Sequence, residues 1–148
     1  MALRCIIAGF LLAFVCLPRE AHAEDKEPTV IIELGGAAGY SLKGGGASGG
    51  PNIAAEVPIV ENWLEVEAGV TPLFGHGGPE WDTDLVFKKP FDLTEKLEFA
   101  VGVGPGWVHT TGAGRADALA VEGILELAYW FRAQHDIGLY VEPSYDYM

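Results

Sequence analysis

From Lys96 to Thr111 the chain reads KLEFAVGVGPGWVHTT, and apolar side chains take every second position. Leu97, Phe99, Val101, Val103, Pro105 and Trp107 form one row, while Glu98, Ala100, Gly102, Gly104, Gly106 and Val108 form the other. A period of two belongs to an extended strand with one apolar face and one polar or thin face. The same alternation recurs on both sides of this stretch. Asn52–Val60 sets Ile53, Ala55, Val57 and Ile59 on one face, and Trp81–Lys89 sets Trp81, Thr83, Leu85 and Phe87 against Asp82, Asp84 and Lys88. Ala118–Phe131 sets Leu119, Val121, Leu125, Leu127, Tyr129 and Phe131 against Glu122 and Glu126. The pattern predicts seven strands, near residues 29–42, 52–60, 63–74, 80–90, 96–109, 118–131 and 135–147.

Three of these strands share a signature, Val-x-Pro-x-aromatic, at Val70–Phe74, Val103–Trp107 and Val141–Tyr145. A looser copy runs from Leu34 to Tyr40, with Ala38 in place of the proline. Helical repeats of similar length are excluded by the period-2 alternation, so the repeating unit is a β-hairpin. The connections are expected to alternate in kind. Glu61-Asn62, Asp92–Glu95 and Arg132–Gln134 read as tight turns, whereas Lys43–Pro51, Gly75–Pro79 and Thr110–Asp117 read as longer glycine-rich loops. Lys43–Pro51 is not a phosphate cradle: no helical pattern and no Gly-Lys-Ser/Thr ending follows it.

The start of the chain has a different character. Arg4 precedes an apolar run from Ile6 to Leu17, and Ala21-His22-Ala23 gives a small-x-small cleavage site before Glu24. Residues 1–23 are therefore expected to be a secretory signal peptide, the run being too short for a spanning helix. Cys5 and Cys16 both lie inside it, which leaves no disulfide in the mature chain. A lipoprotein reading at Cys16 fails because Ala13-Phe14-Val15 is not the small-residue box that modification needs. Residues 24–28 form a short charged tail, and residues 29–148 a single β-barrel domain. The whole chain carries a formal charge of −12, and the leader contributes a net positive share. A chain this acidic repels phosphate backbones, so nucleic acid is not an expected partner.

Alternation alone does not say which face is wet; the distribution of residue types does. On the apolar face Tyr40, Phe74, Trp81, Trp107 and Tyr145 mark the loop end, and Phe91, Phe99, Tyr129 and Phe131 the turn end. Between them lie Val66, Ala68, Leu85, Val101, Val103, Val121 and Leu125. Two aromatic girdles around an aliphatic band match the two interfaces of a bilayer. The opposite face is thin, with Ala54, Gly69, Ala100, Gly102, Gly104, Ala118, Ala120 and Gly138, as a narrow barrel interior requires. Trp63 and Trp130 fall on this second face and are expected to plug the turn-end mouth.

With these features the chain resembles the small bacterial outer-membrane β-barrel proteins of the OmpA-barrel, OmpX and opacity-like kind. The resemblance implies an all-β, antiparallel up-and-down meander, an outer-membrane-type barrel of about eight strands with seven present. It also implies outer-membrane lipids and the barrel-assembly machinery as partners, and an outer-membrane location. One departure stands out. Those families have an even strand count and end on an aromatic residue, whereas this sequence ends at Tyr147-Met148 on an upward strand. One downward strand is expected to be missing, which would leave unpaired backbone in hydrocarbon at several kcal/mol per group. A fragment, a parallel pairing of the first and last strands, or cover by another chain would each account for it, and the fragment is the reading adopted.

The polar face carries Glu33, Glu56, Glu65, Glu67, Glu98, Glu122, Glu126 and Glu142, together with Asp82 and Asp84. Its one clear cation is Lys88, with Lys43, Lys96, Arg115 and Arg132 placed to fold over the mouths. Such a set reads as a hydrogen-bonded filler of a small barrel, or as a cation-attracting or proton-sharing interior; the filler is preferred because barrels of this size hold side chains rather than channels. His109 and Thr111 share a rim face that resembles the His-x-Ser pair of lipid A deacylases. Threonine stands where serine is expected, and no orienting acid is evident in the sequence. His76, Glu80, Asp82 and Asp84 fit no calcium-loop spacing and read as a solvated acidic loop. The expected function is a structural or surface-interaction role in a Gram-negative envelope, without catalysis or cofactor. The alternatives are an outer-membrane lipid-modifying hydrolase and a soluble periplasmic barrel holding an apolar ligand.

Overall fold

The computed structural model describes residues 30–42, 46–75, 78–111, 116–131 and 137–147 with their side chains, and residues 3–8 as backbone. The strands are β1 (Leu3–Ala8), β2 (Ile31–Ser41), β3 (Gly46–Val60), β4 (Leu64–Gly75), β5 (Gly78–Thr94), β6 (Leu97–Thr110), β7 (Ala116–Trp130) and β8 (Gly138–Tyr147). Strands β2 to β8 form one curled antiparallel sheet in which each strand pairs with the next in chain order. This is the up-and-down all-β meander that the alternation predicts. No described residue is helical.

The six residues of β1 lie between β2 and β8, antiparallel to both, and close the sheet into a barrel. Ile6 stands opposite Gly39 on one side and Ser144 on the other. The downward slot expected to be vacant is thus filled, in the full chain, by residues from the segment read as a leader. The reason is backbone hydrogen bonding: two bare strand edges present rows of N–H and C=O groups that pair with any strand of suitable direction.

Strand extents differ from the expectation in an instructive way. The glycine-rich stretch expected to be a loop at Lys43–Pro51 is strand from Gly46 onward, in register with Ala37–Ser41 of β2. Glycine is needed there rather than merely tolerated, because a Cβ on Gly50 would lie 1.8 Å from the Pro72 carbonyl oxygen. Two of the expected loops are shortened: β3 begins at Gly46 rather than after Pro51, and β5 at Gly78 rather than after Pro79. Among the described residues the turns lie at 61–63 and 95–96. Two turns are locally specified. Trp63 N–H donates to the Val60 carbonyl (2.9 Å) with Asn62 at a φ of 55°, a conformation Asn adopts more readily than most residues. Thr94 Oγ1 accepts from the backbone N–H of Leu97 at 3.0 Å and of Lys96 at 3.3 Å.

Side chains sort by parity. Outward rows expose Val70, Leu85, Val103, Val121, Leu125 and Val141, flanked by Tyr40, Phe74, Trp81, Trp107 and Tyr145 at one end and Phe91, Tyr129 and Phe131 at the other; Phe99 is half-buried against Phe91, ring centroids 6.3 Å apart. Inward rows bury charge. The interior is capped at the turn end by Ile31, Ala128 and Trp130 with Tyr140 against them, and lined toward the loop end by Ala37 and Leu73. Trp130 is the plug expected of it. Trp63 is not: the turn runs through it, so it sits 58% exposed beside Lys89, whose Nζ is 5.8 Å from its ring.

The thin inward face has a measurable reason. A Cβ on Gly102 would come within 2.7 Å of Val86 Cγ1, 2.8 Å of Ile124 Cγ1 and 3.1 Å of Lys88 Cγ, whereas one on Gly123 would meet nothing within 4 Å. Gly102→Ala is expected to lower stability by about 1–3 kcal/mol through overpacking, and Gly123→Ala to stay within about 0.5 kcal/mol of the parent. Urea unfolding in detergent micelles, followed by tryptophan fluorescence, measures both.

Candidate functional site

Lys88 projects from the middle of β5 into the interior and is fully buried. Five carboxylates converge on it from five other strands. Glu56 of β3 lies 2.8 Å from Nζ, Glu142 of β8 at 3.5 Å and Glu33 of β2 at 3.7 Å, while Glu67 of β4 and Glu126 of β7 make still closer contacts. One carboxylate oxygen from each of Glu33, Glu56, Glu67 and Glu126 falls within 4.8 Å of the others. Alternation puts each of these residues inside. Register sets Glu56 opposite Glu67; the residue opposite Lys88 is Glu65, and the lysine side chain reaches past it to Glu67.

An ammonium has three N–H donors, fewer than the carboxylates it faces. Glu33 Oε1 and Glu142 Oε2 accordingly accept no hydrogen bond although both side chains are buried. Like charges directly opposite on neighbouring strands repel, so the shared cation is what lets Glu56 and Glu67 occupy a cross-strand pair.

Of the eight glutamates expected inside, five meet at Lys88. Glu65 is buried toward the turn end beside Glu56 and Glu98, and Glu122 is half-buried toward the loop end, where it accepts from the Ser144 hydroxyl. Asp82 and Asp84 also face inward, Asp84 accepting from the Gly69 backbone N–H. Four buried polar residues of the interior were missed in the sequence reading: Asn52, Thr71, Ser144 and Asp146. Asn52 donates to Thr71 Oγ1 at 2.8 Å and accepts from the Tyr140 hydroxyl at 2.9 Å, and Asp146 is buried near the loop end. Parity with Glu142 and Ser144 would have placed Asp146; parity with Gly69 would have placed Thr71.

At the outer rim the structure supplies the acid that the sequence left unplaced. His109 Nδ1 lies 2.5 Å from Asp117 Oδ1, the two residues being register partners on β6 and β7. The Trp107 ring packs 5.9 Å from the imidazole. Thr111 donates its hydroxyl to the Pro79 carbonyl at 3.1 Å, so it is turned to the β5 side rather than poised as a nucleophile. Thr110 donates to Glu80 at 3.5 Å. His76, Lys43, Arg115, Arg132 and His135, also singled out from the sequence, lie outside the described residues.

No family model, no curated protein and no solved structure matches the chain.

Removing Lys88 leaves its carboxylates facing one another with no other cation among the described residues paired to them. Lys88→Met is expected to cost about 3–5 kcal/mol, as breaking a buried ion pair from one side does. The deficit should shrink as pH falls from about 8 to about 4, because protonated carboxyls cease to repel. Unfolding of parent and variant in the same detergent at both pH values tests this.

Proposed function

We propose that the protein is an outer-membrane-type β-barrel with a structural or surface-interaction role in a Gram-negative envelope, exported by a leader at residues 1–23. The observation that carries the reading is the orientation of the side chains. Large aliphatic and aromatic residues, among them Leu85, Val103, Trp107, Leu119, Val121 and Leu125, are exposed all around the wall, while the carboxylates and Lys88 are inside. A protein in water rarely exposes so large a contiguous apolar surface, whereas hydrocarbon favours it. Resemblance to the OmpA-barrel, OmpX and opacity-like families belongs to this reading, with lipids and the barrel-assembly machinery as partners. Lys89 adds support: its ammonium rests 5.1 Å from the Phe91 ring near the turn end, as a cation reaching toward an interface does.

Removal of the leader would take β1 with it and expose the edges of β2 and β8 along Ala37–Ser41 and Glu142–Tyr147. In lipid those edges require another downward strand.

A second reading rests on the His109–Asp117 pair, which lies among the rim aromatics where a lipid headgroup would sit; this would be a lipid-modifying hydrolase. Loss of acyl release from lipid A in His109→Ala would support it. The soluble-barrel alternative needs an apolar interior, and the described interior is lined by carboxylates.

Fractionation decides between membrane and soluble forms. The protein is expected to sediment with outer membranes and to be extracted by detergent, with its N-terminus at Glu24. Release by osmotic shock would overturn the proposal. Val103→Arg, in the middle of the outward face, should cost about 2–4 kcal/mol in lipid, measured by unfolding from vesicles, and close to nothing if that face meets water.

A further inference from the structure

The seam that β1 fills is specific in shape and in charge. Its two edges, β2 and β8, run in the same direction, and β1 is antiparallel to both, with five residues in register with β2 and six with β8. The buried row is Glu142, Ser144 and Asp146 on the β8 edge, and Ala37 and Gly39 on the β2 edge. Register sets one residue of β1 at each level of that row. Ala8 stands between Ala37 and Glu142, Ile6 between Gly39 and Ser144, and Arg4 between Ser41 and Asp146. The branched residue thus has a small neighbour on either side, and the basic residue has the acid. The alternate residues, Cys5 and Ile7, are in register with Tyr40, Ala38, Tyr145 and Pro143 of the exposed row.

Charge makes the match selective. Asp146 borders the loop-end part of the interior, a cavity of about 30 Å³ that Glu67, Asp84, Glu122 and Glu142 also line. Its register partner on β7 is Glu122. Like charges opposite one another on neighbouring strands repel. A basic residue at the same level on the other side offsets that repulsion, as Lys88 does for Glu56 and Glu67. We propose that the seam between β2 and β8 is a strand-docking site whose occupant is the chain's own Leu3–Ala8, selected by the placement of Arg4 opposite Asp146. The segment then has a second role beside export, which is to close the barrel while the leader is attached. A second copy is the poorer occupant. Two barrels standing the same way up would set β8 of one beside β2 of the other in parallel, whereas the docked strand is antiparallel to both edges, the more stable pairing per residue. The role in export rests on the reading above; the docking does not.

The test uses the full chain, leader attached, refolded in a neutral detergent, with Cys16→Ser so that Cys5 is the one native thiol. Tyr145→Cys places a second thiol at the register partner of Cys5, and oxidised glutathione is expected to join the two within one chain. Tyr40→Cys does the same on the β2 edge and carries the comparison if the first variant does not fold. Val141→Cys, on the same row but too far along β8 to be bridged, should give at least about tenfold less. In the Tyr145→Cys chain, Arg4→Glu is expected to lower the intrachain yield at least about fivefold, and Arg4→Lys to keep it within about twofold. Arg4→Glu combined with Asp146→Lys should recover the yield to within about twofold, which only a coupling between the two positions produces. Equal yields for Arg4→Glu and its parent overturn the proposal, as does the absence of an intrachain bond at both edges. A disulfide that joins two chains also overturns it and makes a second copy the occupant. Protein released by osmotic shock whose seam still closes in this way would overturn the membrane reading alone.

Discussion

A single ammonium in a narrow, acid-lined interior is the constraint around which the barrel is built. Lys88 contacts Glu33, Glu56, Glu67, Glu126 and Glu142, and with its own strand it links β2, β3, β4, β5, β7 and β8. Of the strands whose side chains are described, β6 is not joined by charge and contributes space instead: Gly102 stands beside Lys88 in register and leaves room for the lysine stem between Val86 and Ile124. Buried ionic groups are expensive unless paired, so this knot fixes the level at which six strands meet. Parity tells each strand which face is inside; the lysine tells it how far along to stop.

That distinction explains what was legible in the sequence and what was not. Face assignment needs only a local period of two, and the inward set from Glu33 to Glu142 follows from it. Level does not, because it depends on the stagger between distant strands. For this reason the convergence of five glutamates on Lys88, and the separation of Glu65, Glu98 and Glu122 from it, required coordinates. Trp63 shows how fragile parity is near a turn: residues 61–63 belong to the turn, β4 begins at Leu64, and a one-residue change of boundary moves a side chain from plug to surface. Gly46–Pro51 shows the limit of composition. Its glycines read as loop, yet the segment pairs with β2 as strand, and at Gly50 glycine is required because the Pro72 backbone comes too close for a Cβ. Asp117 escaped for a third reason. Its role comes from hairpin register with His109 across a connection, not from any motif.

The two ends of the interior differ in what closes them. At the turn end, Trp130 packs with Ile31 and Ala128, and the Tyr140 hydroxyl reaches the Asn52 amide. At the loop end, Leu73 and Ala37 form a much smaller contact. Between these caps the polar side chains divide into the lysine knot and the acidic cavity beyond it, with Glu67 and Glu142 belonging to both. Any change in charge on one side is therefore felt on the other through two shared carboxylates.

The wall and the interior are two consequences of one parity choice. Moving the carboxylates outward would place Val103, Val121 and Leu125 inside, where Gly69 and Gly102 already lack room for a single methyl group. An Asp84 carboxylate oxygen lies 2.7 Å from where a Gly69 Cβ would stand. The thin row thus commits the bulky row to the outside, whatever surrounds the barrel. The exposed apolar wall and the interior's excess of acid are two halves of the same arrangement.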